Sequence, residues 1–64
     1  MENARERTIT VSVWNEGWKI TVYQKSKTVW IAVGDYRGER IEVKGSSERS
    51  AIAAWKEAAR YRGN

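Results

Sequence analysis

Seven side chains between Trp14 and Lys44 hold most of the chemistry open to this sequence: Trp14, Lys19, Tyr23, Lys25, Trp30, Arg40 and Lys44. Lysine and arginine pair with phosphate oxygens, and flat aromatic rings stack on bases or on one another. Interleaved on one surface, the two types describe an anion-binding platform with aromatic footholds. Histidine and cysteine are both absent, which excludes thiolate nucleophiles, disulfides and the usual structural zinc sites. Asp35 and Glu39 flank a turn, but exposed turn carboxylates are far more often solvated than catalytic. No hydroxyl has an identifiable activating base. Gly34 and Gly38 straddle a hairpin rather than a strand-to-helix phosphate loop. The expectation is a protein with no enzymatic activity, no cofactor and no metal.

A platform forms only if those residues share a face, so the hydropathy pattern decides. Arg7 to Trp14 alternates, with Ile9, Val11 and Val13 in one set. Trp18 to Lys25 alternates again around Trp18, Ile20 and Val22, after a turn at Asn15-Glu16-Gly17. Thr28 to Gly34 is apolar on both alternating sets, as a central strand must be. Asp35-Tyr36-Arg37-Gly38 turns the chain into a shorter strand, Arg40 to Lys44, with Ile41 and Val43 in phase. Gly45-Ser46-Ser47-Glu48 opens a helix in which Ala51, Ile52, Trp55, Ala58 and Ala59 form one stripe. Arg60 and Arg62 suit its last turn and Gly63 its stop. The fold class is α+β: a four-stranded antiparallel meander with one C-terminal α-helix packed on one face. Residues 1–6 are expected to be frayed, and 7–63 to form a single ββββα domain.

Register follows from closing the hairpins on Glu16-Gly17, Ser26-Lys27 and Tyr36-Arg37-Gly38. The helix-covered rows are then Val13-Ile20-Val33-Ile41 and Val11-Val22-Ile31-Val43. The uncovered rows are Thr10-Tyr23-Trp30-Lys44, Ser12-Thr21-Ala32-Glu42 and Trp14-Lys19-Gly34-Arg40. On this reading Trp14, Tyr23 and Trp30 share a solvated face with Lys19, Lys25, Arg40 and Lys44. Cross-strand aromatic pairing stabilises a sheet by up to about 1 kcal/mol per pair. That accounts for Tyr23 beside Trp30, but not for two tryptophans left in water among cations.

Twelve Lys and Arg against eight Asp and Glu leave a net charge of +4 in 64 residues, which favours an anionic partner. A charge of that size also serves ordinary solubility. The first residues, Met-Glu-Asn-Ala-Arg-Glu-Arg, have no hydrophobic signal core, and every apolar run is too short to span a bilayer. The expected setting is intracellular, in cytoplasm, nucleoid or nucleus, with no membrane partner.

Ala51-Ile52-Ala53-Ala54-Trp55-Lys56-Glu57-Ala58-Ala59, followed by Arg62-Gly63, resembles the helix of plant APETALA/ethylene-response-factor DNA-binding domains. Trp30-Ile31-Ala32-Val33 and Glu39-Arg40-Ile41-Glu42-Val43 are similar to that family's last two strands. The amino-terminal arm-binding domains of phage and transposon integrases share the layout of a sheet plus one C-terminal helix. The resemblance implies that the uncovered sheet face enters a DNA major groove, with Trp30 and Arg40 at the DNA. Glu42 stands where the plant family has a second tryptophan, and four strands replace three.

The expected function is therefore nucleic-acid binding, with duplex DNA as the partner and Trp14, Lys19, Tyr23, Lys25, Trp30, Arg40 and Lys44 as the contact set. Stacking of Tyr23 and Trp30 on unpaired bases is the variant for single strands. The rival is a protein-interaction module, or a homodimer, that docks through the same face.

Overall fold

The computed structural model describes residues 6–62. The expected stop at Gly63, and all of the expected frayed segment except Glu6, lie outside the described residues. Strands β1 (Arg7–Val13), β2 (Glu16–Ser26), β3 (Val29–Tyr36) and β4 (Glu39–Gly45) follow one another across a single antiparallel sheet, and α1 (Glu48–Arg62) covers one side of it. This is the α+β meander with one helix that the alternation implies. Of the two serines before the helix, Ser47 is the cap: its Oγ accepts the Ser50 N–H at 3.2 Å. Glu48 occupies the first turn, and Arg60 and Arg62 the last, each sign where the helix dipole favours it. Two exposed ion pairs tie the ends of α1 to the sheet, Arg7 with Glu48 at 2.6 Å and Arg62 with Glu39 at 2.8 Å.

Turn chemistry sets the register differently from the expectation. The first hairpin closes on Trp14-Asn15, both at positive φ (53° and 66°), and pairs Ile9 with Ile20 and Val11 with Trp18. That slide moves β1 by an even count, so Ile9, Val11 and Val13 keep their face. The second hairpin closes on Lys27-Thr28, and an irregularity between Gln24 and Ser26 leaves Lys25 as the extra residue. Together they pair Val22 with Ala32 and Tyr23 with Ile31, a slip of one residue that turns β3 over. The third hairpin closes on Arg37-Gly38, at φ 53° and 82°, pairing Gly34 with Ile41 and Ala32 with Val43. This second single-residue slip cancels the first for β4, so β3 alone is inverted.

Trp30, Ala32, Gly34 and Tyr36 therefore face the helix, and Val29, Ile31 and Val33 face away. The expected rows that placed Ile31 and Val33 beneath α1, and Trp30, Ala32 and Gly34 opposite it, are corrected accordingly. The inverted arrangement packs better for a physical reason. A side chain at Gly34 would place its Cβ 2.7 Å from Ile20 Cγ2, so the missing side chain is what admits Ile20 to the core. Gly45 meets the same demand from the backbone of Ala51 where strand gives way to helix.

The core is Val11, Val13, Ile20, Val22, Ala32, Tyr36 and Ile41 from the sheet, with Ala51, Trp55 and Ala59 from α1. Small alanines on the helix stripe let its axis approach the sheet, and Trp55 fills the gap. Its indole N–H donates to the carbonyl of Ile41 at 3.1 Å. Tyr36 lies between two tryptophans, 4.6 Å from Trp18 and edge-on to Trp55 at 6.1 Å, ring centre to ring centre. Among the described residues, the four of left-handed backbone, Trp14, Asn15, Arg37 and Gly38, all lie at the end of the sheet where α1 finishes.

Candidate nucleic-acid interface

The uncovered face is built from alternate residues of four strands. One cross-strand row reads Thr8-Thr21-Val33-Glu42 and another Tyr23-Ile31-Lys44. Beside them Thr10 pairs with Lys19, and Asp35 with Arg40. Lys19, Arg40 and Lys44 are exposed, and Tyr23 is half-buried. Ile31 is only 3% exposed although no helix covers it, held between Tyr23 and Lys44 in register. Arg40 and Glu42 approach to 3.9 Å, a long, solvated pair that leaves the guanidinium free to exchange partners.

Four of the seven expected contact residues, Lys19, Tyr23, Arg40 and Lys44, are thus brought together on this face. Lys25 is exposed at the bulge beside it. The two tryptophans are not there. Trp30 is half-buried against the core under α1, because the one-residue slip of β3 reverses its side. Trp14 is not a strand residue; it occupies the first position of the hairpin loop and is 56% exposed. Asp35 and Glu39, the turn carboxylates, fall on opposite faces by strand alternation, and Glu39 is engaged by Arg62.

Trp14 instead meets the helix. With Ser12, Asn15, Lys56 and Arg60 it lines a cleft of about 390 Å³, and a second hollow of about 210 Å³ lies between Trp14, Glu57, Arg60 and Tyr61. The sequence pattern did not expose this group. Lys56 and Arg60 have the one-turn spacing that places them on one helix face. What could not be read was that the hairpin would close on Trp14 rather than on Glu16.

Among the described residues no group of three His, Cys, Asp or Glu side chains is placed to hold a metal ion, and no helix is long and apolar enough to cross a membrane. No protein-family description, curated protein or solved structure matches the chain.

Proposed function

We propose that the chain is a small, non-enzymatic DNA-binding domain that presents its uncovered sheet face to the major groove of duplex DNA. The observation that carries this reading is that Lys19, Arg40 and Lys44 outnumber Asp35 and Glu42 on the face that α1 leaves bare, beside Thr8, Thr10, Thr21 and Tyr23. Cations stand on β2 and β4, two strand spacings or about 9–10 Å apart, with β3 between them. A major groove about 12 Å wide admits that width, with the cations at its phosphate edges and the hydroxyls toward base edges. The absence of Trp14 and Trp30 from the face favours duplex over single-stranded DNA as its ligand, because base stacking needs exposed rings and Tyr23 is the one aromatic left there.

Val33, half-buried at the centre of the same face, favours a second reading, a homodimer joined sheet to sheet. Titration with a short duplex at two salt concentrations tests the first, with sedimentation in parallel. Binding that weakens steeply with salt supports the DNA reading. Salt-indifferent binding, or a concentration-dependent dimer that excludes DNA, overturns it.

A further inference from the structure

We infer that the cleft beside Trp14 seats one unpaired nucleotide, its base against the indole and its phosphate between the Lys56 ammonium and the Arg60 guanidinium. The inference rests on the nucleic-acid reading above and adds a second attachment point away from the sheet face.

The backbone supplies the first observation. A two-residue hairpin loop with positive φ at both positions favours asparagine, aspartate or glycine. Asn15 fits its place; Trp14, at φ 53°, does not. Burial does not compensate, since the residue is 56% exposed and outside the core cluster. A left-handed residue thus holds a large flat ring out beside the helix, which is the geometry a stacking base requires.

Charge supplies the second. Lys56 and Arg60 lie one turn apart on α1 and both line the cleft. Among the described residues neither forms an ion pair; the arginines that do are Arg7, Arg40 and Arg62. Glu57 lines the adjoining hollow with Trp14, Arg60 and Tyr61, on the far side of Arg60 from Lys56; among the described residues it is in neither ion-pair contact nor the cleft lining. Two cations with no acid among the cleft-lining residues suit a phosphate dianion.

Size and lining supply the third. About 390 Å³ is within the range of small-ligand sites, roughly 300–1,000 Å³. The Ser12 hydroxyl and the Asn15 amide offer both donors and acceptors, which a base edge needs and a bare phosphate does not.

The test compares two duplexes of one sequence by fluorescence anisotropy, one blunt and one with a single 5′-phosphorylated overhanging nucleotide. The overhang is expected to tighten binding about tenfold. Trp14→Asn, and Lys56→Ala with Arg60→Ala, should remove that gain while leaving blunt-duplex affinity within about twofold. Trp14→Asn should also melt at a higher temperature, because asparagine tolerates the left-handed backbone; a purely structural tryptophan would give the opposite shift. Equal affinity for the two duplexes, a gain that survives Trp14→Asn, or stronger binding of a phosphotyrosine peptide than of the overhang overturns the inference. If neither duplex binds, the sheet-face reading fails alone. A 5′-phosphorylated dinucleotide then decides the cleft: quenching of tryptophan fluorescence lost in Trp14→Asn upholds it, and no quenching overturns it.

Discussion

The indole N–H of Trp55 donates to the main-chain carbonyl of Ile41 at 3.1 Å, inside the core and across the seam between helix and sheet. This is the one hydrogen bond among the described residues that joins a buried α1 side chain to the strands, and it fixes how far along β4 the helix sits. Trp55→Phe keeps an aromatic ring but loses that bond and some volume, and should cost about 2 kcal/mol. Trp55→Ala should cost about 3–5 kcal/mol, a large share of what holds a domain this small together. Urea unfolding followed by far-UV circular dichroism gives both values.

Tyr36 illustrates the reverse case. Its ring is sandwiched in the core and roofed by the Arg37 guanidinium 5.5 Å from the ring centre, yet its hydroxyl is buried with no partner among the described residues. An unpaired buried hydroxyl opposes folding. Tyr36→Phe should leave the packing intact and raise stability by about 1 kcal/mol, seen as a higher urea midpoint at unchanged slope.

Gly34 and Ile20 share one volume, so their substitutions should interact. Gly34→Ala places a methyl against Ile20 and should cost about 1–3 kcal/mol. In an Ile20→Ala background the 2.7 Å contact with Cγ2 is gone, and only the tight contacts with the Cβ of residue 20 and the Lys19 carbonyl, both 3.1 Å, remain. The double variant should therefore be more stable than the two single costs summed, by at least about 0.5 kcal/mol in a double-mutant cycle.

On the uncovered face the prediction concerns salt rather than stability. Arg40→Ala and Lys44→Ala should each lower the slope of log affinity against log salt by about one, with little change in melting temperature. Arg49→Ala, on the exposed side of α1, should leave the slope unchanged. Trp30→Ala should destabilise the fold by about 3–5 kcal/mol, an upper range for a half-buried ring, rather than selectively weaken DNA binding.

The element order, the helix stripe and the faces of β1, β2 and β4 were legible because each of those strands has one apolar set and one polar set. Alternation then admits a single orientation. β3 gave no such choice: Val29-Ile31-Val33 and Trp30-Ala32 are both apolar, so only the exact loop positions decide which set faces the helix. Those positions depend on a bulge at Lys25 and on tryptophan and arginine accepting left-handed backbone, neither of which composition or spacing announces. The candidate contact set inherited that ambiguity. Lys19, Arg40 and Lys44 fall on the expected face because they lie on the regular parts of β2 and β4, whereas Lys25 sits at the bulge and the tryptophans lie on β3 and in a loop.

Among the described residues the left-handed backbone is concentrated at one pole, which leaves the Lys27-Thr28 turn at the other with ordinary dihedrals and exposed side chains. Since the chain has no thiol of its own, a cysteine introduced at Thr28 would be a unique attachment point for a dye. It would sit about the length of β2, roughly 33 Å, from Trp14. Energy-transfer measurements along the long axis of the sheet would then track events at the tryptophan tip without a reporter touching either candidate surface.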